Sequence, residues 1–402
     1  MTKSQKQLLA LLSFAMWGTN INENIAPSEW PEVFEQSKAQ AVLPMTLFGA
    51  TNFQKQIPSD LYAKWRNAVL SSAMRNEKLM RAQDKLLSLM ANTGIPCIIL
   101  KGSSLSVNYP KSEMRPLGDI DMLIRPEDVE KARSLLRENG FNDPETNHPF
   151  HIDFYGNGIV LELHYAVSTF PDTITGKKTE KIMAQCFESS QLHLLNDYKF
   201  PGLSNVHQAI NLLLHMERHI VEGGIGLRQL CDWALFVASI PEIEFSKQII
   251  PILESCGLFR FAQALTKTCI DYLNLNPQIA KWAANVSCST CNTLINEILR
   301  TGNFGRGTAS DDMSFIFVEQ NKQRNLFFTA VSRLNKLARQ HFPITHKYPF
   351  LLPVFWVYIP MRYWVRSILN LRPKKSIVKS LSTAKTRNQL YRDLKIFEED
   401  AD

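Results

Sequence analysis

Two aspartates one residue apart, Asp119 and Asp121, carry the strongest chemical signal in this 402-residue chain. They open a short apolar run, Asp119-Ile-Asp-Met-Leu-Ile124, that reads as a β-strand. Side chains at i and i+2 of a strand share a face, so the two carboxylates project together while Ile120 and Met122 turn to the opposite, buried side. A second run at Ile159–His164 places Val160, Glu162 and His164 on one face and Ile159, Leu161 and Leu163 on the other. If the two strands are neighbours, Glu162 becomes a third carboxylate at the same place. Three hard oxygen ligands suit magnesium, which leaves positions for phosphate and water. With two ions, such a site can activate an attacking hydroxyl and stabilise a departing pyrophosphate.

Upstream, Leu100-Lys-Gly-Ser-Ser104 follows another apolar run. A Gly-Ser turn after a buried strand lets backbone N–H groups and a hydroxyl approach phosphate oxygens, so Gly102, Ser103 and Ser104 are candidate phosphate holders. Lys101 and Arg115 would add positive charge. A Gly-Ser pair alone is usually only a turn, and an Asp-x-Asp alone occurs often by chance. The ordered set of strand, Gly-Ser, short helix, Asp-x-Asp strand and carboxylate strand is far more specific.

The elements that must position these residues form an α+β unit. Strands are expected at Ile95–Leu100, Asp119–Ile124, Ile152–Tyr155 and Ile159–His164, with Gly156-Asn157-Gly158 as a hairpin turn. A helix begins near Pro126, buries Val129, Ala132, Leu135 and Leu136, and stops at Asn139-Gly140. Before this unit, apolar residues recur at three- and four-residue steps from Leu8 to Met16 and from Leu61 to Met90, and Asn92-Thr-Gly94 ends the second helix. From about Ser204 the chain is again helical. The expected divisions are an N-terminal helical segment (1–93), the α+β core (94–200), a helical domain (201–300) and a basic, aromatic-rich helical segment (301–402). Thr301–Gly307 is Gly-rich but lacks the Gly-Lys-Ser/Thr of a phosphate loop, so it reads as a plain loop.

At the residues just quoted, the sequence resembles the polymerase-β-like nucleotidyltransferase superfamily, whose pattern is Gly-Ser, a short helix, Asp-x-Asp and a later third acid. It resembles more closely a bacterial family of uncharacterised nucleotidyltransferases. The matching stretches are Gly94-Ile95 through Gly102, Tyr109-Pro110, Arg115–Ile124 with Pro126-Glu-Asp128, and Leu161-Glu-Leu-His164. The likeness continues through Leu213-Leu-His215 and Gly226–Asp232. It implies a small mixed sheet flanked by helical segments, with Asp119, Asp121 and Glu162 as catalytic metal ligands for Mg2+, two ions being expected and Mn2+ the alternative. It implies Gly102 and Ser103 as phosphate holders, and His215, Arg228 and Asp232, with His164, as supporting residues near the nucleotide. The third acid is Glu where many superfamily members carry Asp. The expected donor is a nucleoside triphosphate, ATP included; the acceptor, whether sugar, lipid-linked saccharide, protein or RNA, is not specified.

Composition sets the remaining bounds. With 45% hydrophobic and 21% charged residues the chain is expected to fold rather than stay disordered. Seven dilute cysteines do not describe a secreted disulfide framework, so a reducing, cytoplasmic setting is expected. Cys288-Ser-Thr-Cys291 has zinc-like spacing without a second ligand pair, and reads as two buried helix cysteines. His215 and His219 lie one turn apart, and His148 and His151 precede the hairpin; each pair lacks further ligands and reads as solvated or hydrogen-bonded. The N-terminal apolar run reads as a helix packed on the body rather than a secretory signal. From Lys322 to Lys395 there are 16 Lys or Arg against one acid, Asp393, which predicts contact with polyanions. Within that stretch Phe350–Met361 is too short and Pro-interrupted to span a bilayer. It is expected to pack on the core, with peripheral contact at an anionic inner membrane face as the alternative.

Overall fold

The apolar runs around the aspartates pair into one six-stranded sheet. In the computed structural model, which describes residues 1–21, 25–143, 149–222, 224–303 and, with short gaps, 331–368 and 377–394, the strands are β1 (Cys97–Ile99), β2 (Ile120–Ile124), β3 (His151–Gly156), β4 (Ile159–His164), β5 (Gln191–Leu195) and β6 (Tyr198–Gly202). Their order is β3-β4-β2-β1-β6-β5. β2 runs parallel to β4 and antiparallel to β1, and β1 runs parallel to β6. Every residue of β1 and β2 is buried, Asp121 included, as expected of central strands covered on both faces. β3 and β4 are joined through Asn157 and Gly158, both at positive φ, the backbone that a two-residue hairpin turn of this type requires.

The β5–β6 hairpin lies outside the sequence expectation, which placed no strand after His164. Its turn, Asn196-Asp197, with Asn196 at φ +52°, is a hairpin signal, but β5 exposes Leu192 and Leu194 and thereby blurs the usual apolar-in pattern. The other four strands fall within two residues of their expected bounds.

One sheet face is covered by α4 (Ser59–Asn92) and α6 (Val129–Glu138). Leu79, Leu86 and Met90 of α4 and Ala132 and Leu136 of α6 pack on Met122, Ile124, Phe154, Leu161 and Leu163. α4 ends where Gly94 takes φ +73°, and α6 where Gly140 takes φ +82°. The opposite face carries the polar residues of β2 and β4 and meets α8 (Asn205–Glu222) and α9 (Leu227–Ser239). α8 is tied to the end of β1 by Asn211, whose side-chain amide donates to Leu100 O at 3.0 Å.

The largest core joins α1 (Lys3–Trp17), α8, α9 and the helix Phe259–Leu273. Leu8, Leu9, Leu11, Leu12, Ala15 and Met16 are all buried, and Trp17 Nε1 donates to Leu273 O, so the N-terminal run packs on the body as its periodicity predicts. All seven cysteines are free. Cys291 is buried as expected, whereas Cys288, at the start of its helix where the first turn faces solvent, is exposed. His148 and Phe304–Gly307 lie outside the described residues.

Candidate active site

The register of β2 against β4 decides where the third carboxylate goes. Asp121 lies directly beside Glu162, and Leu123 beside His164. Asp119, one residue before β2, shares the face of Asp121. All three acids therefore open into one cleft, of about 110 Å³, together with Lys101, Gly102 and Arg115 and with His215, His219, Arg218, Arg228 and Asp232 from the two helices opposite. A single water needs roughly 10–15 Å³, so the cleft has room for several.

The loop before the aspartates is fixed from α4. Asn76 donates to Arg115 O at 2.9 Å and accepts from Leu117 N–H at 2.8 Å, and Arg75 donates to Gly118 O at 2.8 Å. On the far side, Lys101 Nζ is 2.7 Å from Asp121 Oδ1. His164 Nε2 is 3.2 Å from that same oxygen and 3.3 Å from Glu162 Oε2, so the two carboxylates are no farther apart than those two distances together.

These contacts split the aspartates electrostatically. Burial raises the Asp119 carboxyl, the neighbouring Asp121 charge raises it further, and the result is about 6 despite the opposing Lys101. Asp121 is more buried still, but the Lys101 ammonium and the hydrogen bond from His164 outweigh that burial and hold it well below the carboxylate range. His164 is pushed the other way: burial disfavours its charged form, and its contacts with Asp121 and Glu162 raise it nonetheless. A buried carboxylate whose ionisation is disfavoured by a neighbouring like charge is one that a metal cation would stabilise.

Several candidates take places that the sequence did not indicate. Gly102, at φ +68°, forms the turn beside the cleft, in a backbone conformation that favours glycine. Ser103 is buried and donates its hydroxyl to Gln83 at 2.6 Å; Ser104 is buried as well, and neither lines the cleft. The polar approach to the cleft at this turn therefore comes from Gly102 and the backbone. Arg115 is buried and grips Asp232 with two bonds, Nε–Oδ1 at 2.7 Å and Nη2–Oδ2 at 2.9 Å, and Tyr109 donates to Asp232 Oδ1 at 2.7 Å. Its charge is thus met by Asp232 at the cleft wall. Arg218, which the sequence reading passed over, lines the cleft from α8 and lies over the Phe150 ring. Its position four residues before Glu222 gave no local signal; only the placement of α8 reveals it.

The two α8 histidines face each other, Nε2 to Nε2 at 3.2 Å. Burial, then the charges of Lys101 and the nearby arginines, pushes His215 well below its ordinary value, and burial with Arg218 pushes His219 to about 3. They are neutral wall residues, and the described residues whose donor atoms lie close enough together to hold a metal are others, His151, Glu162 and His164.

A family model described as an uncharacterised nucleotidyltransferase matches residues 26–274, more than half of the chain and the whole of the sheet, α8 and α9. No curated protein and no solved structure matches.

Proposed function

The chain belongs to the uncharacterised nucleotidyltransferase family, and on that premise we propose that it moves a nucleoside monophosphate from a nucleoside triphosphate to a hydroxyl or phosphate acceptor. The observation that carries this reading is the convergence of Asp119, Asp121 and Glu162, from neighbouring parallel strands, in one cleft bordered by Lys101, Arg218 and Arg228. A new acceptor O–P bond forms at the α-phosphorus, the bond to the β-phosphate bridging oxygen breaks, pyrophosphate leaves, and the acceptor proton passes to solvent. Asp119, Asp121 and Glu162 would hold two Mg2+ ions, or Mn2+ in their place, which when bound would supply Lewis acidity for attack and departure.

The chain's own residues do the rest. Asp119 and Asp121 stand at the start of a strand whose backbone is fixed by β1, β4 and the α4 clamp, so little reorganisation accompanies the reaction. Gly102 allows a phosphate close to the backbone. Lys101, paired with Asp121 at the cleft wall, would offer its ammonium to an incoming phosphate. Arg218 and Arg228 place positive charge on the opposite wall, while the Arg115–Asp232 pair keeps α9 in register with the Asp-x-Asp loop. Incubating the protein with each α-labelled triphosphate, Mg2+ and cell extract, and identifying what becomes labelled, tests the reaction and finds the acceptor.

The C-terminal segment supports peripheral contact with an anionic membrane face, in a cytoplasmic protein, as a second part of the reading. The expectation that Phe350–Met361 is buried holds for Leu352 but not for Phe350, Val354, Val357 and Met361, which are 74%, 61%, 68% and 53% exposed. Their three- and four-residue steps put them on one side of the helix Leu352–Ile368 and its lead-in, between exposed Lys347 and Arg362. The side chains of Tyr363 and Trp364 lie outside the described residues. No described helix is long and apolar enough to cross a membrane.

A further inference from the structure

β3 and β4 bring two histidines against Glu162, one of the three acids. In β3 the residues His151 and Asp153 share one face, and in β4 so do Glu162 and His164; the antiparallel register sets His151 opposite His164 and Asp153 opposite Glu162. The alternate residues Ile152, Phe154, Leu161 and Leu163 go into the core, so the polar four form a square on the other face. One donor atom from each of His151, Glu162 and His164 lies within 4.8 Å of the other two. Bonds of about 2.0–2.2 Å to a tetrahedral ion would set such atoms roughly 3.4 Å apart, a closure that small side-chain rotations supply.

We propose that His151, Glu162 and His164 form a separate position for a divalent transition metal, of the Zn2+ and Co2+ kind, next to the all-oxygen Mg2+ site. Two imidazoles and one carboxylate are a donor set that these ions prefer and that Mg2+ does not. His151 Nε2 is 3.1 Å from Asp153 Oδ1, the arrangement by which a carboxylate orients a ligating imidazole. His164 is 2% exposed, and its Nδ1 meets no hydrogen-bond partner among the described residues, so the ring lacks the second bond that ordinarily fixes a structural histidine. Glu162 is the half-open member and faces the cleft, which gives the ion a way in and leaves a coordination position there. The alternative is a histidine that serves only to neutralise Asp121 and Glu162. The inference shares Glu162 with the proposed transfer site but needs no turnover to be tested.

The test is a Co2+ titration of the chelator-stripped full chain in a large excess of Mg2+, read by visible absorption. One equivalent of Co2+ giving ligand-field bands that Mg2+ does not displace is the expected result. His151→Ala should weaken Co2+ binding by about 100-fold while Mg2+-dependent triphosphate binding, read by calorimetry, changes by less than about twofold. Cobalt-edge X-ray absorption of the unaltered protein should show two imidazole ligands, a readout that does not depend on the variant folding. Absent bands, bands lost to Mg2+, or a cobalt shell without imidazole would overturn the proposal, whether or not the protein transfers nucleotides.

Discussion

Asp119 and Asp121 are chemically identical and two residues apart, yet the fold treats them oppositely. Asp119 is held near 6 by burial and by its neighbour's charge, so between about pH 4 and 6 the folded chain binds a proton that the unfolded chain has lost. Its ionisation therefore costs stability as pH rises through that window, and the cost persists at pH 7. Asp121 is depressed, because Lys101 and His164 outweigh its burial; its carboxylate adds stability above the unfolded value, and that stability is lost as pH falls. In chelator at pH 7, Asp119→Asn should raise unfolding stability by about 1–2 kcal/mol and Asp121→Asn should lower it by about 2–4 kcal/mol. The ammonium and imidazole set against Asp121 come from Lys101 and His164, on other elements, and were not legible in the sequence. Urea denaturation of both variants decides, and equal effects of the same sign would refute the division. Asp232→Ala leaves Arg115 buried without its carboxylate and should cost about 3–5 kcal/mol by the same assay, whereas an exposed, phosphate-seeking Arg115 would make that change nearly silent.

Among the elements, those with strong local signals were legible: α4 through its periodicity and its Asn92-Thr-Gly94 stop, α6 between Pro126 and Gly140, and the β3–β4 hairpin through Asn157-Gly158. What periodicity could not convey was which element meets which. Asp232 lies 117 residues from Arg115, and Asn76 39 residues before it, and those contacts, rather than any motif, set the angle of the Asp-x-Asp loop. Asn76→Ala removes the partner of Leu117 N–H and of Arg115 O at once. It should cost about 1–3 kcal/mol and weaken Mg2+-dependent triphosphate binding without altering any proposed ligand. Calorimetry on the variant, with hydrogen exchange at Leu117 as the local readout, tests this; unchanged affinity alongside accelerated exchange would show that the loop does not need the clamp.

Taken whole, the molecule places a cleft lined by acids, a lysine and arginines within residues 94–240 and a strongly basic stretch beyond 322. Overall fold class and the residues of the cleft's floor could be read from the chain; Arg218 on its far wall, the exposed apolar face and the meeting of His151 with His164 could not, because each depends on how distant helices and strands are seated. Vesicles containing anionic lipid should sediment the protein at low salt and release it as ionic strength rises. Val354→Asp with Val357→Asp, both at exposed positions, should abolish sedimentation while leaving the fold intact; equal sedimentation would retire the membrane reading. The central claim is tested most directly by following α-labelled triphosphate in extract with Mg2+, comparing the unaltered protein with Asp121→Asn. The account predicts label passed to a defined acceptor by the former, with none passed by the latter or in chelator. Label transferred equally by both proteins, or by neither with any triphosphate, would contradict it.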